Sequence, residues 1–311
     1  MKKFIKKIFI FISIFIGFFI QLFLFDWLVI GDQYQGVYNA SINDKIERLQ
    51  SIEGPKIILA GDSNLVYGIN SELIEQAFEK PVVNLGLNAL LGNAFLENMI
   101  KFGVSEGDIV ILSHWNFNDS DEIMDPHVAL TTVEHNWEYW KLFRLKDYPG
   151  LIRDYPHYLI YSMFHWVTGE SENQIKDGTS NSRAAFNKYG DICKRFDTSF
   201  SFSEGSGWVP ETSEECMKRI NELNEYVKSK GATLLITAYP IGMGEFTPDA
   251  SLFEEFEKEL TAKVNCEVIS HFTDYFFDYS LFYDAAVHLN AEGADIRTQR
   301  LIDDLKRWMN K

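Results

Sequence analysis

Short apolar runs alternate with amphipathic stretches along most of this chain, and each kind has its own period. Five runs, at 56–60, 82–85, 108–113, 234–239 and 267–270, are too short for helices and too continuously apolar for one-sided strands. They read as strands of a parallel sheet buried on both faces. Between them, residues 71–78, 93–102, 213–230 and 252–263 carry helical spacing, and Ser213 with Glu215 and Cys216 has the form of a capped helix start. A last helix carries Arg297, Arg300 and Leu301. Five strands with intervening helices predict a three-layer, flavodoxin-like α/β fold, in which ligands sit at the carboxyl ends of the strands.

Two stretches break the alternation. The first is 8–25, where only Ser13, Gly17 and Gln21 interrupt aliphatic and aromatic residues. As a helix it would be about 27 Å long, close to a bilayer's hydrocarbon thickness of ~30 Å. It follows a flank containing Lys2, Lys3, Lys6 and Lys7 and precedes Trp27, as expected of a membrane anchor with its N-terminus inside and its body outside. A cleaved signal peptide would have a shorter apolar core ending in small residues, whereas Leu24-Phe25-Asp26-Trp27-Leu28 follows here. The second is 118–210, rich in Trp, Tyr, Phe and His, with a Gly/Ser/Asn-rich part at 169–182. So long a structureless loop is improbable inside a domain, so it reads as a partly helical insertion capping the sheet edge. Its aromatics would pack the cap down or recognise substrate. The expected organisation is an anchor at 1–31, a polar tether at 32–54 and an α/β domain at 55–311 that contains the insertion.

Composition narrows the partners. The net charge is −16, and without the four leading lysines the remainder carries −20. Binding nucleic acid requires a basic face that displaces counterions, so nucleic acid is a poor partner. Cys193, Cys216 and Cys266 show neither a CxxC spacing nor histidines at metal-ligand intervals, and no metal site is assigned. One disulfide with a free thiol, or three small buried hydrophobes, both fit these cysteines.

The candidate chemistry lies at the two ends of the α/β domain. The first strand runs through Ile57-Ile58-Leu59-Ala60 directly into Gly61-Asp62-Ser63-Asn64. A serine at such a strand-to-helix junction sits at the carboxyl edge of the sheet, where a helix start offers free N–H groups to a developing oxyanion. Asp62 is expected to fix the turn by accepting backbone N–H bonds. Near the far end, Asp284 and His288 fall in a loop between the last strand and the last helix. That loop could bring the imidazole over Ser63 as general base, with Asp284 orienting the ring. Glu292 and Arg297 follow closely and could contact substrate, cap the helix or form surface pairs.

Gly61-Asp62-Ser63 early in the domain, Asn84-Leu85-Gly86 after the second strand, an Asn after the third, and Asp284 with His288 near the end occur in the order of the GDSL/SGNH hydrolase superfamily, which this chain resembles over about 250 residues. The resemblance implies a Ser-His-Asp triad. It also implies an oxyanion hole made of the Ser63 and Gly86 backbone N–H groups and an Asn side chain, with no cofactor. Two departures stand out. The family's Gly-x-Asn-Asp block is replaced by Ser113-His114-Trp115-Asn116-Phe117-Asn118, and the acid precedes His288 by four residues where the family has three. Asn116 is the first choice for the oxyanion amide and Asn118 the second. Asp284 is the expected orienting acid, with Asp278 or a backbone carbonyl as alternatives. With its anchor, the chain resembles envelope proteins of this superfamily that add or remove acyl groups, acetyl foremost, on extracytoplasmic glycans, some beside a membrane-bound O-acyltransferase. A lipase or thioesterase with a greasy cleft, and a silent scaffold, are the other expectations to be weighed.

Overall fold

The computed structural model describes residues 2–118, 122–172, 181–193, 211–243 and 249–311. The chain opens with helix α1 (Lys2–Phe25), which a π-type turn (Asp26–Ile30) extends. No residue of α1 is buried, and with a mean hydropathy of 2.8 the segment is long and apolar enough to cross a membrane. The stretch expected as a tether instead belongs to the folded body. It forms helix α2 (Ile42–Ser51), whose Ile42, Ile46 and Leu49 enter the core, and whose buried Lys45 donates to the carbonyls of Asn84 and Gly190. Its polar appearance hid an apolar face at i, i+4 and i+7.

The core sheet is built from β1 (Ile57–Gly61), β2 (Val82–Asn84), β3 (Ile109–Ser113), β4 (Thr233–Ile236) and β6 (Glu267–Val268). All pairings are parallel and the order is β2-β1-β3-β4-β6. The five expected strands are therefore present, the fourth and fifth shorter than expected. After β4 the chain turns into a separate two-stranded sheet, β5 (Ile241–Met243) beside β7 (Phe276–Asp278).

Side-chain alternation divides this sheet between two apolar layers. Ile58, Ala60, Val110 and Leu112 face α2, α5 (Asn93–Asn98), α8 (Glu214–Ser229) and α9 (Ala250–Lys263). Ile57, Leu59, Ile109 and Ile111 face α3 (Ser63–Gly68), α4 (Ser71–Phe78) and α10 (Ala291–Met309). Because β1 is flanked by β2 on one side and β3 on the other, the chain reverses direction across the sheet at β1. A crevice opens at such a point, outside the carboxyl end of the strand. The insertion is partly helical, with α6 (Pro126–Val133), a 3₁₀ segment (Trp137–Leu142) and α7 (Tyr148–Thr168) packed beside that edge. Most of its Gly/Ser/Asn-rich part, 173–180, and its end, 194–210, lie outside the described residues.

Candidate active site

The junction of β1 and α3 is held by a buried polar network. At Gly61 the backbone has φ +149°, and a Cβ would collide with the Ser113 carbonyl, so only glycine fits. Asp62 caps α3: its Oδ1 accepts from the Asn64 backbone N–H (2.8 Å) and side-chain amide (2.7 Å), and its Oδ2 from Trp115 N–H (2.9 Å). Arg297, fully buried on α10, donates to the Asn64 carbonyl (2.7 Å), Asn64 Oδ1 (2.8 Å), Ser113 Oγ (3.1 Å) and the Ala238 carbonyl (3.0 Å). Its guanidinium thus ties α10 to the turn that carries Ser63 and to the ends of β3 and β4. Burial pushes its pKa down to about 10, which still leaves it charged at neutral pH. Gly68 carries no side chain because a Cβ there would strike this guanidinium. Arg297 is therefore internal scaffold, and neither a substrate contact nor a surface pair. Glu292 lies exposed in the first turn of α10, a favourable place for an acid at a helix N-terminus.

The structure brings Ser63, His288 and Asp284 together. His288 Nε2 lies 2.8 Å from Ser63 Oγ, and His288 Nδ1 lies 2.6 Å from Asp284 Oδ1. A tautomer with the proton on Nδ1 donates to Asp284 and accepts the Ser63 hydroxyl, satisfying both contacts. The four-residue spacing is accommodated by a turn in which His288 N–H donates to the Ala285 carbonyl, closed by the Phe282–Leu289 bridge. Asp278 is engaged elsewhere, accepting from the Ser280 N–H and hydroxyl. One contact was not anticipated. Tyr67 stacks on the imidazole at 4.1 Å between centroids and 16° between planes, with Tyr283 beyond it. Ser63 and Tyr67 are four residues apart on α3 and so share a face. That spacing was legible in the sequence, but its meaning required the position of His288.

One of the expected oxyanion donors is committed elsewhere, and a second does not line the cleft at Ser63. The Gly86 N–H donates to Asn84 Oδ1 (2.9 Å) in a local Asx turn. Gly86 does not have positive φ; a Cβ there would press on Asn84 Oδ1 and Leu65 Cβ at 2.9 and 3.0 Å. Asn116 is buried outside the cleft that holds Ser63, its Oδ1 accepting Asn118 N–H and its carbonyl accepting from Asn93. At both, an asparagine beside a turn accepts a local backbone N–H with its side-chain oxygen, which occupies the Gly86 N–H but leaves the Asn116 amide nitrogen without a partner among the described residues. Asn118 likewise does not line the cleft. Donors do line it at Ser63 and Asn88, and the buried Tyr38 hydroxyl is a further group of the cleft without a partner among the described residues. The Ser63 N–H has no partner among the described residues, whereas Asp62 accepts those of Asn64 and Leu65. The side chain of Asn88 lines the cleft; its Oδ1 accepts Leu90 N–H, and its amide nitrogen has no partner among the described residues.

The cleft measures about 500 Å³. Its lining mixes polar side chains, among them Asn39, Asn181, Glu172, His127 and Thr131, with Val37, Val128 and the rings of Tyr34, Tyr38 and Tyr67. Burial pushes the His127 pKa down, helped by neighbouring His157. Two groups could hold a metal ion by ligand type: His127 with Asp154 and His157, and Asp32 with Glu134 and His135. In the second, His135 bridges Asp32 (2.9 Å) and Asp26 (3.3 Å). Burial disfavours its charge, but those two carboxylates outweigh burial and push its pKa up to about 9. Burial pushes the nearby Glu134 carboxyl up to about 7. The three cysteines are unbonded, with Cys216 buried, Cys266 half-buried and Cys193 exposed. No protein-family model matches this chain, and no curated protein matches it.

Proposed function

We propose that the protein is a serine-dependent O-acyl esterase or acyltransferase of the SGNH type, with Ser63 as nucleophile, His288 as general base and then acid, and Asp284 orienting and electrostatically supporting the imidazole. The observation that carries this reading is the continuous hydrogen-bonded chain from Ser63 Oγ through His288 to Asp284, at 2.8 and 2.6 Å. In the first step the Ser63 oxygen attacks an ester carbonyl while its proton passes to His288 Nε2. Collapse of the tetrahedral intermediate expels the alcohol, which takes that proton, and leaves an acyl-serine. Water or a second hydroxyl then attacks the acyl-serine with His288 again as base. The Ser63 N–H and the Asn88 amide replace the expected Gly86 and Asn116 as donors to the oxyanion.

The amide, carboxylate and hydroxyl groups in the lining support a hydroxyl-rich, glycan-like substrate, and the tyrosine rings and valines beside them suit a small acyl group such as acetyl. With α1 as a membrane anchor and the lysines inside, the cleft faces an extracytoplasmic envelope polysaccharide. A membrane-bound O-acyltransferase is then the natural source of acyl groups if the reaction is transfer. The commitment of the Gly86 N–H to Asn84 favours a second reading, a glycan-binding scaffold without turnover.

Full-length protein in detergent, assayed with p-nitrophenyl acetate and with longer esters, separates these readings. The enzyme reading expects turnover of the short ester that Ser63→Ala and His288→Ala abolish, and labelling of Ser63 by a phosphonofluoridate. Equal labelling of wild type and Ser63→Ala sinks it. If Ser63→Ala leaves cellular acylation unchanged while deletion of the protein abolishes it, the scaffold reading stands.

A further inference from the structure

Cap helix α7 is apolar on both its faces. Leu151, Tyr158, Leu159 and Ser162 face inward and are buried. On the outer face Ile152, Pro156, Ile160, Met163, Phe164 and Val167 are exposed, Val167 at 72% and Ile152 at 67%. Their spacing of i, i+4, i+8, i+11, i+12 and i+15 makes an apolar stripe along the helix, with the exposed Arg153 and His157 on the same side near its start. Scattered apolar residues on a surface need no explanation, but a contiguous stripe marks a contact.

The position of α1 identifies the occupant. Phe23 packs against Tyr155 and Phe25 meets Trp166 edge-on, each with 6.0 Å between centroids. Between the helices runs a crevice of about 370 Å³, where Phe15, Phe19 and Phe23 of α1 face Trp140, Ile152 and Tyr155 of the cap. If α1 spans the bilayer up to Phe25, Phe15 lies about 15 Å below that end, inside the hydrocarbon. Cap residues sharing a crevice with Phe15 are then carried into the same leaflet, and the stripe continues their surface.

We propose that α7 lies in the outer leaflet, its stripe among lipid acyl chains and a lipid tail in the crevice. This rests on reading α1 as a membrane span. Lipid is favoured over a protein partner because the stripe and crevice are continuous with faces of α1 that must themselves meet lipid. Because α6 packs along α7 and contributes His127, Val128 and Thr131 to the cleft, the seated cap holds the Ser63 site at the bilayer surface. The substrate class is then a glycan presented at that surface, such as a lipid-linked or membrane-proximal chain.

The test uses full-length protein in a Cys193→Ser background, reconstituted in phosphatidylcholine/phosphatidylglycerol vesicles. An environment-sensitive fluorophore is placed on Ile160→Cys, Phe164→Cys, Ile12→Cys in α1, or the exposed Glu222→Cys on α8 as control. Lipids spin-labelled near the headgroup or deeper along the chain serve as quenchers. The expected result is an about twofold loss of emission at 160 and 164, with 222 unaffected and 12 answering to the deeper quencher. Bright labels at 160 and 164 with a quenched label at 12 overturn the inference, keep the span and leave the stripe to a protein partner. A bright label at 12 overturns the span reading, and the inference with it. Neither result touches the Ser63 assignment, which esterase and probe measurements decide.

Discussion

The nucleophile turn and the cap meet across one cleft, but they are ordered by different means. Around Ser63 a connected polar network lies inside the protein: Asp62 accepts three N–H bonds, Asn64 bridges Asp62, Ser113 and Arg297, and both terminal nitrogens of Arg297 donate to carbonyl or hydroxyl oxygens, only its Nε lacking a partner among the described residues. The outer face of α7 has no such internal complement and presents aliphatic side chains outward. A site that must hold a hydroxyl and an imidazole to within tenths of an ångström needs a rigid frame, since small misplacements cost rate. A cap that positions a whole substrate can take its order from the medium it rests in.

The largest effect expected on the turn side is chemical. His288→Ala should lower esterase turnover by about 10⁴-fold, as should Ser63→Ala, while the Ser63→Ala/His288→Ala double variant falls little further, because the two groups act as one unit. An additive double variant would break the picture of a coupled pair. Next comes the proposed oxyanion donor. Asn88→Ala should cost about 10²-fold in kcat with little change in KM, as for a contact made only in the transition state. Asn116→Ala should leave kcat close to wild type, and the opposite ranking would restore the expectation drawn from the sequence.

The frame itself predicts a loss of stability. Arg297→Met removes a buried cation and strands the Asn64 and Ala238 oxygens, so unfolding free energy in detergent should drop by about 3–5 kcal/mol, read from denaturant midpoints. If the drop were below about 1 kcal/mol, internal polar matching would not be what orders the turn.

The smallest effect belongs to the junction of anchor and cap. His135 faces Asp26, Asp32 and the buried Glu134, with Trp27 edge-on to its ring and stacked on Trp137 at 4.5 Å. Its folded pKa of about 9 exceeds the ordinary value of 6.5, so its contribution to stability is complete below about pH 6.5 and is lost as pH rises through about 9. Lys45 acts in the opposite sense. Burial pushes it down to about 7 in spite of Asp191, so its penalty is relieved as pH rises from about 7 towards the ordinary lysine value. The readout is therefore a difference: the thermal midpoint of wild type minus that of His135→Gln should shrink between pH 7 and pH 10. A gap that stays constant would sever the junction from this ion cluster.

How much was readable beforehand differed between the same two regions. All five core strands were legible, because a strand buried on both faces needs an uninterrupted apolar run and little else produces so short a one. Ser63, His288 and Asp284 were legible because each sits where a strand ends or a helix begins. The Gly86 N–H turns to Asn84 and Asn116 does not line the cleft, since whether an amide faces a cleft or its own turn depends on hydrogen bonds that neighbouring residues contest. The segment at 32–54 misled for a related reason, its polar composition concealing the buried face of α2. Lys45 gave no signal at all, since nothing local marks a lysine that will be buried against carbonyls 39 and 145 residues away.

The sequence alone thus determined the strand order's raw material, the anchor's length and the three residues that meet at the sheet edge, because those follow from periodicity and position along the chain. Only the tertiary structure decided which donors line the cleft at Ser63, that Tyr67 stacks on His288, that Arg297 is internal, and that α7 meets α1 through Tyr155 and Trp166 while its outer face stays exposed. Each of these depends on where groups distant in sequence arrive, and a hydrogen bond or an apolar contact acts only over a few ångströms of real space.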